Sequence, residues 1–290
     1  MKKIQIISFI FILGTFFFAC DEIEKPYLPI VGDNEEEGEV TVTVTFPELT
    51  PANLYRKVLV EEYTGHKCTN CPTGHAKLDE MFGLYGDTIV AIGVHAGPLA
   101  STDEEYPYNF VSPQGTQLFN DFNIPQIPLA IMSRVRYNAN SWGSPINKWI
   151  DHFNMVDRSK NSAAIQLINE YNPTAQTITT YAKVTILEEI VNKVQFCVVV
   201  TENGIVKPQL NAGVIVPDYT HNHVLRGSLN GNYGVPLTSN GLVANGGTYL
   251  KGYRVSLRNR DWVASNCSIV AYLIDMETKE IIQVEETKVN

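Results

Sequence analysis

Arg56-Lys57-Val58-Leu59-Val60-Glu61-Glu62-Tyr63-Thr64-Gly65-His66-Lys67-Cys68-Thr69-Asn70-Cys71-Pro72 is the stretch on which the fold turns. Residues 56–63 are rich in β-branched and apolar side chains and read as a strand. Thr64-Gly65-His66-Lys67 is a short turn, and residues 69–85 read as a helix. A strand that passes through a tight turn into a helix places Cys68 beside unpaired backbone N–H groups and the positive end of the helix dipole, both of which favour a thiolate. His66 and Lys67 are expected to add positive charge. Cys71 lies one turn further in, within reach of a mixed disulfide formed at Cys68. Cys68 is therefore the expected nucleophile and Cys71 the resolving thiol. Pro72 falls in the first helical turn, where its missing N–H costs little.

Working outward, residues 88–95 read as a second strand, 114–122 as a short helix, 129–135 as a third strand and 145–155 as a closing helix. Strands alternating with helices predict a mostly parallel or mixed sheet covered on both faces. Beyond residue 158 the character changes to short β-type runs at 163–168, 177–186, 194–201, 249–257, 267–274 and 281–289. Asn203-Gly204, Asn230-Gly231, Asn240-Gly241 and Asn245-Gly246 punctuate them as turns. This pattern predicts an all-β, immunoglobulin-like sandwich domain over 159–290, following an α/β domain over 40–158. Val40-Thr41-Val42-Thr43-Val44-Thr45-Phe46 alternates strictly and predicts a strand with Val40, Val42, Val44 and Phe46 on one face.

At the amino end, Lys2 and Lys3 precede a mostly apolar run that closes at Ala19, the pattern of an export signal over 1–19. Phe17-Phe18-Ala19-Cys20 resembles a bacterial lipobox, which implies lipidation of Cys20 and attachment to a membrane through that lipid. An ordinary cleaved signal or an uncleaved anchor is the competing reading. Residues 20–39, with Glu35-Glu36-Glu37, read as an acidic tether. With the two lysines of the signal removed, 20 basic residues against 31 acidic ones leave a charge of −11. That balance excludes nucleic acid as a partner, because phosphate binding needs clustered Lys and Arg.

The strand, turn and Cys68-Thr69-Asn70-Cys71-Pro72 motif resemble the active-site segment of the thioredoxin superfamily. That resemblance implies a thioredoxin-like domain over 40–158. It also implies that Pro128, in Asn123-Ile124-Pro125-Gln126-Ile127-Pro128-Leu129, is the cis-proline that faces the cysteines, and that Glu62, six residues before Cys68, is the acid that exchanges a proton with the resolving thiol. Lys67 departs from the superfamily, which usually carries Trp there. Glu61 is equally acidic, but a strand sends neighbours to opposite faces, so one of the two carboxylates is expected to be exposed.

The whole chain resembles the twenty-eight-kilodalton outer-membrane-protein-related lipoproteins. The markers are Glu61-Glu62-Tyr63-Thr64-Gly65, the cysteine motif, and Tyr219-Thr220-His221-Asn222-His223-Val224-Leu225-Arg226. That family implies an outer-membrane lipoprotein, with surface exposure or adhesion as one reading of its role.

Two functions stay open at this level. One is thiol-disulfide exchange with a protein thiol or disulfide, an oxidoreductase activity needing no cofactor. The other is non-catalytic binding of a surface protein or glycan, with a structural or vestigial disulfide and Tyr106, Tyr108 and Phe110 as a contact surface or as anchors of their own loop. Metal binding by Cys68, Cys71 and His75, with His66 or His95, is a rival use of the same residues. His221 and His223 read as a polar cluster at a loop or strand end. Cys197 and Cys267 are either bonded or packed as small apolar residues.

Overall fold

The computed structural model describes residues 37–289. The export signal, Cys20 and most of the tether lie outside the described residues. In chain order the first half contains β1 (Gly38–Glu39), β2 (Val58–Thr64), α1 (Cys71–Tyr85), β3 (Ile89–His95), α2 (Pro113–Asp121), β4 (Leu129–Met132) and α3 (Trp149–Met155). The second half contains β5 (Ala163–Asn172), β6 (Thr177–Ile186), β7 (Val194–Glu202), β8 (Ile205–Asn211), β9 (Val214–His221), β10 (Val224–Ser228), β11 (Val235–Pro236), β12 (Thr248–Ser256), β13 (Cys267–Asp275) and β14 (Ile281–Lys288). The result is a mixed α/β and β-rich protein.

One eight-stranded sheet runs through both halves in the order β14-β13-β7-β10-β3-β2-β4, with β11 paired to β7. Within it β2 is parallel to β3, Val58 opposite Ile89 through Thr64 opposite His95, and antiparallel to β4. β10 lies parallel to β3, with Val224 opposite Gly93, and antiparallel to β7. Residue 158 thus marks where the helices cease, not where the sheet divides. A second, four-stranded sheet in the order β1-β12-β6-β5 packs on the β7-β13 end. The segment at 40–46 keeps its expected alternation, with Val40, Val42, Val44 and Phe46 half-buried and the threonines exposed. Its ladder is confined to β1, which pairs with β12, and Val40 N donates to Gly252 O at 2.8 Å. It therefore belongs to the second sheet and not to the α/β portion.

Both faces of the large sheet are covered. On one, Val58, Val60, Ala91 and Met132 pack under Leu78 and Met81 of α1 and under Trp149 and Phe153 of α3. On the other, Leu59, Tyr63, Val90 and Ile92 pack against Leu118 of α2 and Phe122 just past its end, and continue without a break into Cys197, Val199 and Tyr272 of the second half. The two sheets share a third cluster, with Ile165, Ile178 and Val184 facing Phe196, Val198 and Leu273.

Covering both faces overturns the expectation of an exposed carboxylate on β2. Glu61 and Glu62 do point to opposite sides, but each side is interior, and the two are 0% and 2% exposed. Glu61 is held by Arg134, whose Nε and Nη2 donate to its two oxygens at 3.0 and 2.7 Å. The aromatic rings of Phe122, Tyr233 and Tyr272 surround that guanidinium. Ser133 and Arg134 both take positive φ, 44° and 56°, which ends β4 at Met132, short of the 129–135 read from sequence. All four Asn-Gly turns are in place, each with its glycine at positive φ.

Candidate functional site

β2 delivers the chain into the turn at 64–67, and Gly65 lets that turn press on its neighbour. A Cβ at Gly65 would stand 2.6 Å from the Leu99 carbonyl oxygen. Asn70 then caps α1, so Cys71 is the first helical residue and Cys68 precedes the helix. Cys68 and Cys71 form a disulfide. Both are buried, Cys68 at 3% exposure.

The Ile127–Pro128 bond is cis, as the resemblance implied. Gly74, one turn on from Cys71, is where the predicted parts meet: a Cβ there would lie 2.8 Å from Glu62 Oε1 and 3.2 Å from Pro128 Cβ. Helix α1 approaches the carboxyl and the proline only because position 74 has no side chain. Glu62 is the unusual group. Burial, and secondarily the charge of Asp79, push its pKa up to about 8, so the acid is protonated at neutral pH.

Two expectations about charge fail. Lys67 Nζ turns away to Asp103, at 3.1 Å, and Ser101. Burial lowers the His66 pKa, and its ring shares a hydrogen bond with Ser101 O, so it brings no positive charge to Cys68. The loop at 97–113 is fastened by its own aromatics, Tyr106 and Phe110 being buried and the Tyr108 hydroxyl accepting from Arg226. Of the two readings of that loop, the anchor is the one realised.

His75, Tyr219, His95, His221 and His223 line one cleft with Glu62, a cavity of about 70 Å³. Sequence spacing could not show this, because it depends on β10 returning from the second half to lie beside β3, which brings the end of β9 to the cleft. His75 shares hydrogen bonds with Thr64 Oγ1 at 3.1 Å and with the Tyr219 hydroxyl at 2.6 Å. Its Nε2 also stands 3.7 Å from Glu62 Oε1. That approach is not an ion pair at neutral pH: burial drives the His75 pKa down to about 4 while Glu62 keeps its proton. His221 is driven down to about 3 by burial and then by His75. The cysteines are bonded to each other, and among the described residues no three His, Cys, Asp or Glu side chains are placed to hold an ion.

The linkage sign for these histidines is definite. A histidine whose folded pKa lies below its unfolded value of 6.5 binds fewer protons when folded, so stability is intact above 6.5 and is lost as pH falls toward the folded value. For His75 that loss reaches about 3 kcal/mol by pH 4. Thermal melts of His75→Gln are expected to show a shallower fall between pH 6.5 and 4 than the parent chain, and an unchanged slope would contradict the assignment.

Among the described residues the two other cysteines, Cys197 and Cys267, are free. Cys197 and Cys267 are buried on opposite faces of the large sheet, Cys197 opposite Tyr272 and Cys267 opposite Glu202, so the strands hold them apart.

The profile of the family described as Outer membrane protein Omp28 matches residues 116–290, more than half of the chain. The protein belongs to the Omp28 family. Membership places this Omp28 protein at the outer membrane. Among solved structures, it is similar to HBP35 of Porphyromonas gingivalis, with a TM-score of 0.62 and 19% identity over 81% of this chain and 76% of that one, a likeness of fold. It is also similar to a domain of the outer membrane lipoprotein Omp28 from Porphyromonas gingivalis, at 31% identity over 44% of this chain and 88% of that one, with a TM-score of 0.31. No curated protein matches the chain. Among the described residues no helix is long and apolar enough to cross a membrane.

Proposed function

We propose that this Omp28 protein is an envelope lipoprotein, anchored through Cys20, whose Cys68–Cys71 centre carries out thiol-disulfide exchange with protein substrates. The observation that carries the reading is the convergence at Gly74 of the first turn of α1, a buried protonated carboxyl and a cis-proline. Several features support reading the α/β part of residues 40–158, beyond the segment at 40–46, as thioredoxin-like. β2 runs into the cysteine helix, lies parallel to β3 on one side and antiparallel to β4 on the other, and β4 follows the cis-proline. The antiparallel second half, with two sheets packed around a common core, supports an immunoglobulin-like sandwich over 159–290, although its large sheet is continuous with the first half.

The chemistry balances without a cofactor. A substrate thiolate attacks Cys68 Sγ, the Cys68–Cys71 bond breaks, and the electron pair leaves on Cys71, which takes the proton held by Glu62. A second substrate thiol then resolves the mixed disulfide at Cys68, leaving one dithiol and one substrate disulfide. In the reverse direction the Cys68 thiolate attacks a substrate disulfide, and Glu62, in its deprotonated form, accepts the Cys71 proton as the Cys71 sulfur attacks Cys68 and releases the product thiol.

Insulin reduction by the prereduced chain tests this. Turnover is expected, with complete loss in Cys68→Ser and trapping of a mixed disulfide in Cys71→Ser. A wild-type chain no faster than Cys68→Ser would leave the disulfide structural and favour the second reading, a binding lipoprotein. The burial of Cys68 favours that second reading, in which the β half engages a surface protein or glycan.

A further inference from the structure

β8 and β9 pair with each other and with no other strand, forming a two-stranded sheet of their own. The turn between them, Ala212-Gly213, has both residues at positive φ, 47° and 81°, the geometry of a tight hairpin. A register shift between Lys207 and Gln209 bulges the strand and re-aims Gln209. Its side chain is fully buried, and its Nε2 reaches the Cys68 carbonyl at 3.0 Å and the Gly65 carbonyl at 3.4 Å. Alongside it, Leu210 N donates to His66 O at 2.8 Å and Ala212 N to Thr69 O at 3.1 Å. Gly213 N donates to Thr69 Oγ1 at 2.8 Å. Donors at residues 209 to 213 thus follow the cysteine loop carbonyl by carbonyl, much as an added strand follows a sheet edge. These contacts grip the backbone on both sides of Cys68, a residue only 3% exposed, whose sulfur exchange requires to be reachable.

We propose that the β8–β9 hairpin is a built-in cap, docked on the cysteine loop in the place of an extended polypeptide substrate, and that it lifts before Cys68 Sγ is attacked. The inference rests on the thiol-disulfide reading above and assigns its regulation and substrate class. The cap is held near its base, away from the Ala212-Gly213 turn, by the Tyr219–His75 hydrogen bond and by Ile205 packing on Phe110 and Val224. The five donor contacts of residues 209 to 213 are the part that must be exchanged, and three of them come from main-chain N–H groups, those of Leu210, Ala212 and Gly213. A replacement has to offer N–H groups at alternate positions, which an extended peptide does.

The test is the rate at which glutathione reduces the Cys68–Cys71 bond in the full chain, followed by alkylation and mass. Gln209→Ala removes the side chain that bridges the Gly65 and Cys68 carbonyls. Thr69→Val removes the acceptor of Gly213 N from the opposite partner, and serves alone if Gln209→Ala does not fold. Reduction about tenfold faster in Gln209→Ala is expected, the effect of losing about one to two hydrogen bonds, with hydrogen exchange at the Leu210 and Ala212 amides rising in parallel. Equal rates in the parent chain and both variants would overturn the cap. A cysteine-containing peptide that reduces the parent chain faster than glutathione does, with an advantage that shrinks in Gln209→Ala, supports the polypeptide; no advantage rejects it. Insulin turnover separates this idea from its parent. Variants that reduce quickly but turn over no insulin keep the cap and reject the oxidoreductase, whereas insulin turnover with no gain in the variants does the reverse.

Discussion

Arg134→Leu is expected to destabilise the chain by about 4 kcal/mol, the usual cost of removing one partner from a buried ion pair, or on the order of 10 °C in Tm for a chain of this size. Glu61 and Arg134 are both fully buried, and the guanidinium meets the carboxylate with two donors at 3.0 and 2.7 Å. Leucine would leave the Glu61 carboxylate in an apolar layer with no cation and no water, so the penalty is that of an orphaned charge. The double variant Glu61→Leu/Arg134→Leu should recover most of the loss, because apolar side chains of similar volume often replace a buried pair at little cost. Urea unfolding of the single and double variants measures this. A single variant within 1 kcal/mol of the parent would show that water reaches the pair.

The second large effect concerns Glu62 and pH. An acid with an unfolded pKa of 4.5 and a folded one of about 8 binds more protons in the folded chain throughout that interval. Its contribution is therefore fully present below 4.5 and is lost as pH rises through 8, an amount of about 5 kcal/mol across the window. Glu62→Gln keeps the shape and removes the titration, so its stability should no longer fall between pH 5 and 8. In the same variant the exchange rate should drop about a hundredfold and lose its dependence on an ionisation near 8, because the Cys71 proton has no acceptor. A stability-pH curve identical to the parent would refute the buried protonated acid. An unchanged exchange rate would remove Glu62 from the chemistry while leaving its burial intact.

These two carboxylates also show how far the residues alone could be read. The turn from β2 into α1, the close cysteine pair and the Gly turns are local properties of neighbouring residues, and local patterning carries them, whereas the cis bond at Pro128 is legible only through the resemblance to the thioredoxin superfamily. Family membership was legible from three short segments, and it places the protein at the outer membrane. What could not be read depends on pairings far apart in the chain. The pattern of β2 predicts that one of the two carboxylates is exposed, but Glu61 is buried against Arg134, 73 residues on. Lys67 looked like a charge for Cys68 until Asp103 took it. His221 and His223 looked like a loop cluster because nothing local says that the strand after them lies beside Gly93. The β8–β9 hairpin escaped entirely: Ile205-Val206-Lys207-Pro208 carries a proline, which argues against a strand, and its turn is Ala-Gly where the other turns are Asn-Gly.

The sheet that passes through residue 158 has a mechanical consequence. Gly93 N takes its acceptor from His223 O at 2.7 Å, and the layer beneath α2 is built from side chains on both sides of that boundary. Cutting the chain there would strip a flank from β3 and lay bare an apolar surface with an open strand edge, the kind of seam along which polypeptides stick to one another. The halves are joined as two lengths of one woven cloth, and neither is a garment that can be taken off the other.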